Sequence, residues 1–187
     1  MELILASNSP RRRELLKEYG YDFRVISSDF NESENFRSPV KTVKSFAYGK
    51  AKAVFDKLND KNVVVLGADT IVVFKGEILG KPKSQEHAKD MLSILSGKTH
   101  TVITGFSLIS KEKTVVKYVK SRVKFNVLSK QMIDEYVLTG KPMDKAGSYG
   151  IQDGFGLVKN YKGSLNNIIG LPIEKMTKII DKMLKKQ

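Results

Sequence analysis

Leu3-Ile4-Leu5-Ala6-Ser7-Asn8-Ser9-Pro10-Arg11-Arg12-Arg13 decides the fold class, as a short apolar run, a polar turn and the start of a basic helix. Residues 3–6 read as a buried strand, which Ser7-Asn8-Ser9 breaks. Pro10 suits the first helical position, where a missing N–H leaves nothing unsatisfied and φ is preset. Ser9 is then the predicted N-cap, and Leu15 and Leu16 give the helix an apolar face. Three arginines in the first turn oppose the helix dipole, which favours acidic residues at that end. An anion there would remove the conflict, because exposed N–H groups, hydroxyls and guanidinium forks together make a phosphate site. A plain helix start with solvated arginines gives the same pattern.

Composition bounds what surrounds this stretch. At 187 residues the chain is long enough for one packed domain, with or without two lobes. No internal repeat or linker interrupts it, so a single domain over 1–187 is expected. The absence of cysteine excludes disulfides, thiolate metal sites and a thiol nucleophile. The opening apolar run is too short for a signal peptide, and no stretch approaches the roughly 20 apolar residues that span a bilayer. A soluble cytoplasmic protein without a membrane partner is the expectation. The net charge of +13 invites a nucleic-acid reading, but of 33 basic residues only six are arginine, three of them in the opening motif. Arginine is the usual reader of phosphate and base edges, whereas dispersed lysine is a hydrated surface. No nucleic-acid partner is therefore expected.

Further along, strands and helices alternate. Tyr21–Ile26 reads as a second strand, and 29–38 as a polar loop carrying Glu32 and Glu34. Ser38-Pro39 repeats the N-cap and first-turn pattern ahead of a helix with Val43, Phe46, Ala47, Val54 and Phe55 at helical spacing. Lys50 falls on or beside its apolar face, where either a partner awaits the charge or the ammonium reaches water. Val63-Val64-Val65-Leu66 is a covered strand ending in Gly67-Ala68-Asp69-Thr70, before Ile71-Val72-Val73-Phe74 resumes it. A carboxylate between two such runs needs a cation, a metal or N–H donors, unless it caps a turn at the strand end. Asp69 is thus the leading candidate for a catalytic carboxylate.

Lys75-Gly76 predicts a hairpin turn, and Gly80-Lys81-Pro82 a constrained loop that projects Lys81. Ser84 and Ser129 are predicted caps of two more helices. Residues 101–109 and 114–127 are strand-like, the second alternating as a half-exposed strand does. His100 reads as a hydrogen-bonded structural histidine and His87 as a surface one, so the two make no metal site. Lys145-Ala146-Gly147-Ser148-Tyr149-Gly150-Ile151-Gln152-Asp153-Gly154 lacks the spacing of a P-loop. Its glycines would admit a ligand close to the backbone, with Gln152 offering donors and an acceptor; a flexible loop is the other reading. A last amphipathic helix starts near Pro172. Carboxylates with Lys and Arg, without a Cys or His cluster, favour a hard cation such as Mg²⁺ or Mn²⁺ and phosphoryl or nucleotidyl chemistry.

Over nearly its whole length the sequence resembles the Maf proteins, a family of nucleoside triphosphate pyrophosphatases. The motifs that carry this are residues 5–12 (LASNSPRR), 31–33 (NES), 50–53 (KAKA), 67–70 (GADT), 80–82 (GKP), 96–100 (SGKTH) and 144–152 (DKAGSYGIQ). Thr70 and the last motif are similar to the dTTP/UTP branch rather than the 7-methyl-GTP branch. Asn31 and Asp153 depart from the residues common in the family. The resemblance implies an α/β fold, a twisted mixed sheet flanked by helices with two lobes around a cleft, and a homodimer. It also implies hydrolysis of dTTP, UTP and modified pyrimidine nucleotides to the monophosphate and pyrophosphate, a house-cleaning role with a possible link to cell division. In that reading Asp69 is the proton acceptor and shares Mg²⁺ or Mn²⁺ with Glu32. Arg12, Lys50, Lys81, Ser7 and Ser9 hold phosphates, while Arg11, Thr70 and Gln152 match specificity positions. The Gln152 amide would read the uracil or thymine edge. The competing expectations are a nucleotide-binding regulator of septum formation and a pyrophosphatase acting on ITP or XTP.

Overall fold

The fold follows from the alternation of apolar strands and one-faced helices. Its computed structural model describes residues 1–32, 38–58 and 62–185. Ser33, Glu34 and Arg37, which the sequence places in the polar loop, lie outside the described residues. The strands are β1 (Glu2–Leu5), β2 (Arg24–Val25), β3 (Val63–Phe74), β4 (Glu77–Leu79), β5 (Thr99–Ile109), β6 (Thr114–Phe125) and β7 (Val158–Lys162). The helices are α1 (Pro10–Glu18), α2 (Pro39–Lys57), α3 (Gln85–Leu95), α4 (Lys130–Leu138), α5 (Leu165–Ile169) and α6 (Thr177–Leu184). Among the described residues the strands form one mixed sheet in the order β2-β1-β3-β5-β6-β7, with β4 paired to β3. This is the mixed α/β architecture expected. No helix among the described residues is long and apolar enough to cross a membrane.

The packing separates two compact units. One comprises Met1–Asp69, Thr104–Val119 and Gly170–Gln187; the other Thr70–Ile103 and Lys120–Ile169. In the first, β1 is parallel to both β2 and β3, with Leu5 opposite Leu66. Ile4, Ala6, Val63, Val65 and Ile109 pack with Ala51 and Val54 of α2. The contact is close because Gly67 lacks a side chain: a Cβ there would lie 2.3 Å from the Ala47 carbonyl oxygen. The second unit has its own core, where Ala88, Leu92 and Leu95 of α3 meet Ile133, Tyr136 and Val137 of α4 beside Val102, Val123 and Phe125. Ser84 and Ser129 cap these helices as expected, accepting the N–H groups of His87 and Met132.

Several local expectations are corrected. The second strand shrinks from 21–26 to Arg24–Val25, which pair with Ile4 and Leu5, because the Tyr21 N–H donates instead to the Leu16 carbonyl of α1 at 3.0 Å. Ser9 and Ser38 occupy N-cap positions but neither hydroxyl caps its helix. Asp69 is not at a strand end, since β3 runs unbroken from Val63 to Phe74. The segment 145–154 is not an unstructured loop but includes short 3-10 turns at Ala146–Ser148 and Ile151–Asp153. The last helix begins at Thr177 rather than near Pro172, after a 3-10 turn at Ile173–Lys175. The elements β7 and α5 were not foreseen.

Candidate active site

The first unit contains seven of the predicted residues: Ser7, Ser9, Arg11, Arg12, Glu32, Lys50 and Asp69. In a parallel α/β sheet ligands bind beyond the carboxyl ends of the strands. Here β1 gives way to Ser7-Asn8-Ser9 and α1, while β3 continues. Pairing of β3 with β1 stops at Leu66 and pairing with β4 starts at Val72, so Asp69 lies between the two. Strand alternation turns Asp69 to the same side as Val63, Val65 and Gly67, toward α2.

Lys50 comes from α2 to meet it. Its Nζ lies 2.7 Å from Asp69 Oδ1 and 2.7 Å from Glu32 Oε1. The alternative of a solvated ammonium is thereby overturned, since only 15% of the Lys50 side chain is exposed. Asp69 is buried at 7% exposure while Glu32 is exposed. Burial pushes the Asp69 carboxyl above the ordinary carboxylate range. Lys50 and Arg12 pull it down, and Glu32 reinforces the rise. Such a carboxylate is a stronger base than an exposed one.

Arg12 is held from two sides. Its Nε donates to the Gly170 carbonyl at 2.9 Å and an NH1 hydrogen goes to Ser7 Oγ at 3.0 Å. Ser7 Oγ also accepts the Ser9 N–H at 3.2 Å. Burial lowers the pKa of the guanidinium from its ordinary value, with Asp69 and Glu32 opposing the fall. The arginine fork is therefore oriented in advance. Arg11 is half-buried on the same helical turn, which has no acidic residue. The Gly170 carbonyl was not foreseen, because a contact 158 residues away leaves no local signal.

Thr70, Lys81 and Gln152 belong to the second unit. Thr70 faces the side of β3 opposite to Asp69 and shares that side with Val72. The segment at Gly147 packs on Val72, where a Cβ would come within 2.8 Å of Val72 Cγ2. The Gly147 N–H donates to the Gly80 carbonyl at 3.0 Å, which ties the Gly80-Lys81-Pro82 loop to the 145–154 segment. Lys81 and Gln152 are exposed. His100 is the structural histidine expected: buried, 2.7 Å from the Tyr149 hydroxyl, and pushed down by burial to about 4.

Two carboxylates on one positive centre suit a hard divalent cation, whose ligands are oxygens. No group of three or more His, Cys, Asp or Glu able to hold a metal occurs among the described residues. An ion held by Glu32 and Asp69 would keep coordination places for water and phosphate, as Mg²⁺ commonly does.

A buried base beside preset cations is the equipment of an enzyme acting on a phosphorylated substrate. The chain belongs to the Maf-like protein family, whose pattern matches residues 2–183. A dTTP/UTP pyrophosphatase of Bacillus cereus (strain G9842) is 46% identical over 179 residues, covering 95% of this chain and 93% of that protein. One from Bacillus thuringiensis subsp. konkukian (strain 97-27) is similar to the same degree and coverage. Among solved structures, the Ham1 protein of Staphylococcus aureus aligns with a TM-score of 0.48 at 20% identity, covering 67% of this chain and 72% of that one. A dITP/XTP pyrophosphatase of Mycobacterium abscessus aligns with a TM-score of 0.44 at 13% identity, covering 98% and 96%.

Proposed function

We propose that the chain hydrolyses dTTP and UTP, and modified pyrimidine triphosphates, to the nucleoside monophosphate and pyrophosphate. The observation that carries this reading is the buried Asp69, held by Lys50 together with Glu32 and raised above the ordinary carboxylate range. Relatives named for this activity support it at 46% identity.

In this reaction Asp69 takes the proton from a water that attacks the α-phosphorus, and the bond from that phosphorus to the bridging oxygen breaks. Pyrophosphate leaves with the bonding electrons. Arg12, Lys50 and Lys81 hold the phosphates and stabilise the charge that develops on the leaving group, with Ser7 and Ser9 as hydrogen-bond donors. Glu32 and Asp69 are the residues that would hold Mg²⁺ or Mn²⁺, which would supply further electrostatic stabilisation. Arg11, Thr70 and Gln152 select the nucleotide. The Gln152 side chain accepts from the N3–H of uracil or thymine and donates to a neighbouring carbonyl.

Hydrolysis in ¹⁸O-labelled water tests the point of attack. The label is expected in the monophosphate and not in pyrophosphate. Label in pyrophosphate would mean attack at the β-phosphorus and would contradict the proposal.

A further inference from the structure

The second unit contains a buried ionic cluster that the chemistry above leaves unused. Tyr136 lies on the inner side of α4 and is fully buried. Its hydroxyl donates to Asp153 Oδ2 at 2.6 Å and accepts the Gly150 N–H at 3.0 Å. The same Asp153 oxygen lies 3.5 Å from Lys145 Nζ, and both side chains are only 9% exposed. Lys145 is fixed in turn by the Lys141 carbonyl and by Asp144 Oδ1. Burying such charges costs more than leaving them in water. The cluster is therefore weak evidence for stability, and what it positions is the more informative feature.

What it holds is the turn that carries Gln152. The Asp153 N–H closes that turn onto the Gly150 carbonyl at 3.1 Å. Gly150 and Asp153 are both anchored on the Tyr136 hydroxyl, one through its backbone and one through its carboxylate. Gln152 stands between the two anchors and is exposed. Gly150 admits this arrangement because it has no side chain. A Cβ there would come within 2.8 Å of both Asp153 carboxylate oxygens and of Lys145 Cε. A flexible, rotamer-rich amide reads a base edge well only if its backbone is fixed.

We propose that Asp153 is a positioning residue for base selection: anchored on Tyr136 and Lys145, it fixes the turn that presents Gln152 to the nucleobase. The proposal rests on the base-reading role given to Gln152 above. Tyr136 and Lys145 share in the positioning, and none of the three touches the substrate. Asp153→Asn keeps an acceptor for the Tyr136 hydroxyl, whereas Asp153→Ala removes it. The first should hold the turn and the second release it.

The test is a cycle of kcat/KM ratios for UTP over CTP in the wild type, Asp153→Ala, Asp153→Asn, Gln152→Ala and the double variant Gln152→Ala/Asp153→Ala. Asp153→Ala is expected to lower the UTP preference about tenfold, and Asp153→Asn to retain most of it. The double variant should discriminate no worse than Gln152→Ala alone, since Asp153 acts through Gln152. An unchanged preference in folded Asp153→Ala, or a loss in the double variant equal to both single losses combined, would overturn the proposal. If Asp153→Ala does not fold, Tyr136→Phe carries the same test by removing one hydroxyl. Amide hydrogen exchange over 150–154 separates this proposal from the function it rests on. Exchange should quicken in Asp153→Ala and not in Asp153→Asn, and equal exchange in both would sink the anchoring. A wild type that releases no pyrophosphate from UTP or dTTP would instead count against the function.

Discussion

In the proposed reaction Asp69 is the base, and its neighbours pull its proton affinity in opposite directions. Burial raises its pKa, Lys50 and Arg12 lower it, and the balance stays above the ordinary range. As a base it works only when ionised, so kcat/KM should climb with pH through that raised pKa. The acidic limb should thus stand above the usual carboxylate range. Lys50→Ala removes a favourable cation and should move the limb to still higher pH; a limb that stays put would show that Asp69 is not the titrating base. The linkage has a definite sign. A carboxyl whose folded pKa is raised contributes most stability below its unfolded pKa and loses that contribution as pH rises through the folded value. Asp69→Asn should therefore cost about 10²–10⁴-fold in kcat without lowering Tm at neutral pH. At this scale Asp69 and Lys50 were legible in the sequence, because each is a charge set among apolar positions and needs a partner. The Gly170 carbonyl under Arg12 and the Tyr136–Asp153 link were not, since neither follows a local period.

The joint between α2 and β3 is what brings Lys50 to Asp69. Gly67 lies two residues before Asp69 on the same side of β3, and the Ala47 carbonyl and Ala51 of α2 crowd it. Gly67→Ala would press a methyl group against backbone atoms that cannot rotate away. About 1–3 kcal/mol of destabilisation is expected, with activity falling further than stability because Lys50 moves with the helix. Urea unfolding beside kcat/KM checks this, and an alanine variant with wild-type stability would contradict the close packing. Helices with a cap and an apolar period, such as α3 and α4, were readable in the sequence. β7 was not, because most of its five residues are exposed and carry no apolar alternation. α5 is only five residues long, too short to show a helical period. β2 was overextended because its apolar residues belong to packing rather than pairing.

For the whole chain, the α/β class followed from the opening strand, turn and helix and from the alternation after them. The mixed sheet bears this out, and residues 2–183 match the Maf-like family. The strand order could not be read, since apolar runs give no account of their neighbours. The charge of +13 is carried mostly by lysine, and three of the six arginines lie in α1, the helix to which the proposal assigns phosphate binding. The most direct test of the central claim incubates the purified chain and its Asp69→Asn variant with canonical and modified nucleoside triphosphates, with Mg²⁺ or Mn²⁺ and with a chelator. The readout distinguishes pyrophosphate from orthophosphate. The account predicts pyrophosphate and monophosphate from UTP and dTTP ahead of the other canonical nucleotides, lost with the chelator and with the variant. A preference for ITP or XTP, orthophosphate as the product, or no turnover by the folded wild type would contradict it.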